Sequence, residues 1–321
     1  MAALVCCILQ GRAVDNNTVE IVYSGTSATI SIAPNITQYV SVSSGTSSHV
    51  IITQSSDFAG VDNTTDNEDG EIIYILSGSS TDGEFLLTGS YKCEVDLNGL
   101  TLTNPSGPAL NIQNGKRIAI SAKKGTSNTL TDGANDSYNG CIHVKGHTKI
   151  KGKGTLTVTG NSKHAIYSKE YFEMKNATLN ITSAVKDAIH CKEYFLMESG
   201  TLTINSASED GIQCELSTGS DVTVETTDHE DENSGNVYMT DGTMTISSVG
   251  GYAIKADGTA SLTGGTRNFT DSSIYTSIAA PTAKTVAGAA QTFDLGGRRV
   301  GGTKGVVVAK GVKRLVKPAS K

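Results

Sequence analysis

The chain has 321 residues, 37% of them hydrophobic, and a formal net charge of −6 at neutral pH. That length suffices for a sizeable core, in one elongated domain or two compact ones. The negative charge and the lack of a basic aromatic stripe argue against a nucleic-acid partner. No segment approaches the roughly 18 consecutive apolar residues of a membrane-spanning helix, so we expect no membrane span.

The N-terminal part contains a short apolar run and then a weakly alternating region. The run AALVCCIL lacks the basic flank of a signal peptide, and we interpret residues 1–17 as a truncated signal segment. Residues 18–70 alternate apolar and polar residues between Ser-Gly-Thr turns, which predicts an N-terminal β capping region that ends in an acidic loop. We therefore expect an extracellular or cell-surface protein.

The central part repeats itself every 23 residues. Thr155, Thr178 and Thr201 share one position of the repeat. Repeats of this length cannot bury their apolar face alone and must stack. Each unit alternates apolar residues in three short segments separated by turns, the pattern of β-strands. The predicted fold is all-β: a right-handed parallel β-helix over residues 71–266, with about 23 residues and three short strands per coil.

Stacked coils place equivalent residues above one another. Ile166, Ile189 and Ile212 are predicted to form an inward column, and their outward neighbours Tyr167, His190 and Gln213 a ladder where a ligand can lie. Cys191 and Cys214 are also one period apart. They are close enough for a disulfide, although a column of buried thiols is the favoured alternative.

Downstream, the repeat is interrupted and then ends. An insert at about residues 216–236 contains the acidic run DHEDE, which is either a solvated loop or a metal-binding segment. An Ala-, Thr- and Ser-rich linker is predicted over residues 267–290, followed by a basic C-terminal sorting-like tail at residues 291–321.

The motifs GKGTLTVTG, HAIYSKEYF, DAIHCKEYF and EDGIQC resemble those of the β-helical carbohydrate-binding proteins of anaerobic plant-degrading and gut bacteria, typified by calcium-containing polygalacturonate and cellulose binders. The resemblance covers about residues 70–265. It implies binding of a plant-type, polygalacturonate-like polysaccharide, with Ca²⁺ as a candidate cofactor. The C-terminal tail is similar to short segments on exported proteins of the Bacteroidetes, which supports export.

The chain departs from this family where relatives commonly have Lys-Asp-Asp-Leu. It has Lys169-Glu-Tyr-Phe172 and Lys192-Glu-Tyr-Phe195, so that a tyrosine replaces one acid in each. Because the chain has no tryptophan, sugar stacking falls to tyrosine or phenylalanine. The predicted carbohydrate-binding residues are Tyr167, His190, Tyr171, Tyr194, Lys169 and Lys192.

Several acids recur at the period of the repeat. Asp187 and Asp210 are one period apart, and Glu170 and Glu193 form a second pair. Like carboxylates about 5 Å apart repel unless they are solvated or bridged. Ca²⁺ takes six to eight oxygen ligands and is a candidate bridge, whereas polar bends are the alternative. The candidate calcium ligands are Asp187, Glu209, Asp210, Glu170, Glu193, Asp228, Glu230 and Asp231.

Catalysis is the alternative to simple binding. A calcium-dependent polysaccharide lyase needs a desolvated lysine or arginine base, for which Lys169 and Lys192 are candidates, but both are predicted to lie beside acids in turns. A glycosidase needs one distinguished carboxylate pair, which a uniform ladder does not offer. We therefore expect a non-catalytic, monomeric polysaccharide-binding protein, with a lyase and a structural or adhesive surface module as alternatives.

Overall fold

The computed structural model describes residues 15–58, 70–224, 229, 231–270 and 273–277, together with four backbone strands between residues 292 and 316. The described chain is built from β-strands, with one 3-10 helix at Pro34–Ile36. It divides into two compact units, residues 1–279 and 280–321. Among the described residues, no helix has the length and hydropathy to cross a bilayer.

The first unit contains a sixteen-stranded and a ten-stranded sheet. The sixteen-stranded sheet comprises β1 (Thr18–Ser24), β2 (Ser27–Ile32), β5 (Ile72–Ser80), β7 (Cys93–Asn104), β9 (Ile118–Ala122), β10 (Ser127–Asp132), β12 (Thr148–Lys151), β13 (Thr155–Gly160), β15 (Phe172–Lys175), β16 (Ala177–Ala184), β18 (Tyr194–Met197), β19 (Gly200–Ile204), β21 (Asn236–Met239), β22 (Thr243–Ile246), β24 (Ala260–Leu262) and β25 (Thr266–Phe269).

The ten-stranded sheet comprises β3 (Val40–Val42), β4 (His49–Gln54), β6 (Glu84–Thr88), β8 (Leu110–Ile112), β11 (Gly140–Val144), β14 (His164–Ser168), β17 (Ile189–Lys192), β20 (Ile212–Glu215), β23 (Ile254–Ala256) and β26 (Ile274–Thr276). The second unit contains a four-stranded antiparallel sheet of β27 (Thr292–Phe293), β28 (Arg299–Val300), β29 (Gly305–Ala309) and β30 (Val312–Val316).

The 23-residue period sets the pairing of the central strands. Ile166, Ile189 and Ile212 are consecutive parallel partners across β14, β17 and β20. Phe172 and Phe195 pair in the same way across β15 and β18. All five side chains are fully buried in one continuous core, where each isoleucine contributes about 1.5–3 kcal/mol.

The predicted right-handed parallel β-helix, with three short strands in every coil, is wrong as a description of the sheets. The strands form two extensive, mainly parallel sheets rather than three separate columns. The reason lies in β7, which runs for 12 residues without a turn. Its first half pairs with β9 and its second half with β10, so two expected columns fuse into one sheet. The amides of Gly99 and Leu100 at its middle donate to the Asn128 side chain and keep the strand continuous.

The predicted N-terminal cap contributes to both sheets. The strand β1 pairs in parallel with β5 and in antiparallel fashion with β2, whereas β3 and β4 form one end of the ten-stranded sheet. The predicted domain bounds stay predictions. Cys191 and Cys214 are register partners, and both are buried free thiols.

Candidate functional site

Three rings follow one another on the outer face of the ten-stranded sheet. His143, Tyr167 and His190 are consecutive register partners in β11, β14 and β17, each next to an inward isoleucine. The His143 and Tyr167 rings stack with centroids 5.2 Å apart, and the Tyr167 and His190 rings with centroids 5.4 Å apart. We call these three residues the open ring row. Its ladder position continues through Gln213, Lys255 and Tyr275.

The stacking decides what the open ring row can offer to a ligand. Interplanar angles of 15° and 20° mean that the three rings cover one another's faces. A flat sugar-stacking platform needs an uncovered face, whereas stacked rings present their edges, which carry imidazole nitrogens and a phenol hydroxyl. Because both ring nitrogens of His190 face carboxylates, the hydroxyl of Tyr167 is the ring-edge group that we expect to hydrogen-bond to a ligand.

A row of lysines runs beside the rings. Lys145, Lys169 and Lys192 each lie two residues after a ring, and alternate residues of a strand share a face. The amides of Lys145 and Lys169 donate to the carbonyls of Ile112 and Val144, so the parallel ladder extends to these positions. Both side chains are exposed and have no ion-pair partner among the described residues. Lys192 Nζ lies 3.6 Å from Glu215 Oε2. We call the three residues the lysine row.

Tyr171 and Tyr194 do not belong to this face. They precede the inward Phe172 and Phe195 on the sixteen-stranded sheet and are only 7% and 1% exposed. Their rings stack with centroids 4.8 Å apart, and the His147 ring stacks on Tyr171 at 4.0 Å. We call His147, Tyr171 and Tyr194 the covered ring cluster. The expectation that both tyrosines offer an outward sugar-stacking surface is corrected by their burial.

The insert provides this cover. The amides of Ser234 and Gly235 donate to the Glu193 carbonyl, and the His229 ring lies 5.3 Å from the ring of Tyr194. Buried Glu232 accepts hydrogen bonds from Asn236 and from the hydroxyl of Tyr238, which fixes the insert in place. Asp231 is exposed, and Asp228 and Glu230 lie outside the described residues.

A compact group of two histidines and one carboxylate lies beside the open ring row. His164, Asp187 and His190 are all buried, and their ligand-type atoms lie within 4.8 Å of one another. Oδ2 of Asp187 is 3.0 Å from Nδ1 of His190 and 3.3 Å from Nδ1 of His164. The Asp210 amide donates to Oδ1 of Asp187 over 2.9 Å. We call His164, Asp187 and His190 the buried triad.

The charges of the buried triad follow from burial and proximity. Burial disfavours protonated His190, but contacts with Asp187 and Glu215 outweigh it and raise the pKa of His190 to about 9. Burial lowers the pKa of His164, and the charge of His190 opposes the attraction of Asp187. Burial alone would raise the pKa of Asp187, but the two histidines and the Asp210 amide hold it well below its usual range.

The second acidic pair also meets a histidine. Nε2 of His147 lies 3.0 Å from Glu170 and 3.5 Å from Glu193. Burial opposes protonation of His147, but the two carboxylates outweigh it and raise its pKa to about 9. Elsewhere, Glu209 lies 3.5 Å from Lys186, and Asp210 lies 3.4 Å from Lys255.

These contacts decide how well the acids fit calcium. Ca²⁺ selects six to eight oxygen ligands, and both metal-compatible groups among the described residues include histidine nitrogen. Five of the acids predicted to bind calcium have histidine, lysine or backbone amide partners: Asp187, Asp210, Glu170, Glu193 and Glu209. In this arrangement the five acids do not form an all-oxygen site of the kind that calcium prefers.

The repeat itself places His164 and His147 beside the periodic acids. His164 lies 23 residues before Asp187, at the same ladder position. His147 lies 24 residues before Tyr171, because the preceding repeat contains one additional residue. The 23-residue register alone aligns His164 with Asp187, and a one-residue insertion aligns His147 with Tyr171, next to Glu170.

The two extensive, mainly parallel sheets define an all-β protein in which successive strands carry a row of polar and aromatic side chains. The chain belongs to the family described as carbohydrate-binding domain-containing protein, whose model matches residues 60–298. No curated protein matches the chain. The structure is similar to that of a polysaccharide lyase-like protein from C. thermocellum, solved as a gadolinium derivative. The TM-score is 0.57 at 19% identity, and the similarity covers 81% of this chain and 96% of that one.

Proposed function

We propose that this carbohydrate-binding protein is exported and holds an acidic, plant-type polysaccharide across the ten-stranded sheet without cleaving it. The observation that carries the proposal is the exposed pair Lys145 and Lys169, which lacks counter-charges among the described residues and lies beside the open ring row. A neutral polysaccharide has no use for such a row, whereas a polyuronate offers a carboxylate at each sugar.

The spacing of the face suits a repeating polyanion. Adjacent strands of a sheet are about 4.8 Å apart, so the lysine row offers a cation at that interval across three strands. A chain lying across the strands meets a lysine and a ring edge on each. The pattern of one ring and one lysine per strand ends at β20, where Gln213 pairs with His190 and Glu215 pairs with Lys192. Binding of this kind weakens with salt because exposed charges are screened.

Binding without cleavage is consistent with the surroundings of the candidate bases. A lysine acts as a general base near neutrality only when desolvation or neighbouring charge favours its neutral form. Lys169 is exposed, and Lys192 lies 3.6 Å from a glutamate that favours the charged form. We therefore expect no unsaturated product when the protein is incubated with polygalacturonate. Accumulation of that product would favour the lyase alternative.

Affinity electrophoresis in gels containing polygalacturonate tests the proposal. The wild-type protein should be retarded, and the double variant Lys145→Gln, Lys169→Gln should bind on the order of tenfold more weakly. The matched control is Lys124→Gln, Lys153→Gln, which removes two exposed charges elsewhere. Equal retardation of the two double variants, or unchanged mobility of the wild type in every polysaccharide, would contradict the proposal.

Calcium assistance, export, the tail's sorting role and the monomeric state stay predictions. A gel run with a chelator tests calcium, because loss of retardation would require ion sites beyond the clusters described above. Cell fractionation tests export, and the structural or adhesive alternative predicts envelope retention without polysaccharide binding.

A further inference from the structure

We infer that the buried triad His164, Asp187 and His190 is a binding site for a divalent transition metal ion of the zinc type. The inference is independent of the proposed function, because it concerns these three side chains and needs no polysaccharide.

The two distances from Asp187 to the histidines of the triad are compatible with a metal site, and all three ligand atoms lie within 4.8 Å of one another. Zn²⁺ binds imidazole nitrogen and carboxylate oxygen at about 2.0–2.1 Å, and tetrahedral geometry then places two ligand atoms about 3.3 Å apart. The carboxylate oxygen Oδ2 of Asp187 lies 3.0 Å from Nδ1 of His190 and 3.3 Å from Nδ1 of His164. Small side-chain movements are enough to admit the ion.

The state of His164 is a second observation that points to a ligand. Its Nδ1 is buried and makes no hydrogen bond within the described part of the chain, although it faces a carboxylate oxygen. A buried nitrogen without a hydrogen bond is costly. A metal ion bound to this nitrogen would satisfy it and would also neutralise Asp187.

The groups around the triad are arranged like the outer shell of a metal site. Metal-binding histidines usually donate their other ring N–H to a carboxylate or carbonyl. Nε2 of His190 lies 3.5 Å from Oε2 of Glu215, and Oδ1 of Asp187 is held by the Asp210 amide at 2.9 Å. These contacts orient the ligand atoms before an ion arrives.

The donor set identifies the class of ion. Two imidazoles and one carboxylate suit zinc and other divalent transition metals, whereas calcium and magnesium prefer oxygen ligands only. Three protein ligands leave one tetrahedral position for water or another ligand.

Isothermal titration of the full chain, without a histidine tag, with Zn²⁺ alone tests the inference. We expect one ion per chain, and Co²⁺ in its place should give the absorption bands of a four-coordinate site. The variants His164→Gln and Asp187→Asn should each weaken Zn²⁺ binding by at least about 100-fold, and Glu215→Gln, which removes a positioning contact, by about tenfold. Asparagine retains the oxygen that accepts the Asp210 amide, which keeps the fold of the second variant testable.

The control is His147→Gln, which disables the group formed with Glu170 and Glu193 and should leave Zn²⁺ binding unchanged. A wild-type protein that does not bind Zn²⁺ or Co²⁺ would overturn the inference. So would loss of binding in the His147 variant with retention in the His164 variant. Polysaccharide retardation measured on the same samples separates failure of this site from failure of the proposed function.

Discussion

The same repeat produces two arrays of stacked rings that differ in their accessibility to a ligand. The open ring row lies on the outer face of the ten-stranded sheet, and two exposed, unmatched cations of the described chain lie beside it. The covered ring cluster lies on the sixteen-stranded sheet, where the hydroxyl of Tyr194 donates to neighbouring Glu173 over 2.9 Å. One array therefore has surface for a ligand, and the other stabilises the protein.

Neighbouring residues, rather than the rings themselves, make this difference. The insert donates amides to the Glu193 carbonyl and brings His229 close to Tyr194, and Tyr238 of β21 packs against the same cluster. Beside the open ring row, lysines lie two residues after each ring. Among the described residues, no insert covers these rings. An aromatic ladder in a repeat protein thus identifies a candidate surface, and the intervening loops decide whether that surface stays accessible.

The largest expected effect is a loss of folding stability when the covered ring cluster is disrupted. Tyr194→Ala removes a buried ring that stacks on Tyr171, and truncation of a buried aromatic residue costs about 3–5 kcal/mol. Denaturant unfolding should show this loss, and polysaccharide retardation of the folded fraction should be unchanged. A loss below about 1 kcal/mol would mean that the insert does not seal the cluster.

The sequence contained the period, and the period determined the inward columns, the strand register and the outward position of Tyr167 and His190. It did not reveal the accessibility of Tyr171 and Tyr194, because their cover comes from an insert that breaks the repeat. It also did not reveal the fusion of two strand columns, which depends on the contact of Asn128 with the middle of β7. Periodic features were therefore predictable, and features made by aperiodic segments were not.

A smaller effect is expected when His143 of the open ring row and His147 of the covered ring cluster are compared by pH. Burial and the nearby charge of Lys163 lower the pKa of His143 to about 4, whereas the carboxylates around His147 raise its pKa to about 9. The unfolded value is near 6.5 for both. Stability contributed by His147 is present below pH 6.5 and is lost as the pH rises to 9. His143 instead reduces stability as the pH falls from 6.5 to 4, because the unfolded chain binds the proton more tightly.

Each contribution should be on the order of 1–2 kcal/mol, since both side chains are partly exposed. Imidazole NMR titration should give the two values directly, with His143→Gln and His147→Gln identifying the signals. The His143 variant should lose the acid-side decline in stability, and the His147 variant the alkaline-side decline. Two ordinary titrations near 6.5 would remove this electrostatic distinction between His143 and His147.

The smallest effect on stability is expected from Tyr167→Phe in the open ring row. The substitution keeps both ring stacks and removes only the hydroxyl, so the free energy of unfolding should change by less than about 0.5 kcal/mol. If ring edges bind sugar hydroxyls, polygalacturonate binding should weaken by about 0.5–1.5 kcal/mol, or roughly three- to tenfold. Tyr194→Phe is the matched control, because it removes a hydroxyl that faces Glu173 and should leave binding unchanged. Equal affinity of the two variants would assign recognition to the lysine row alone.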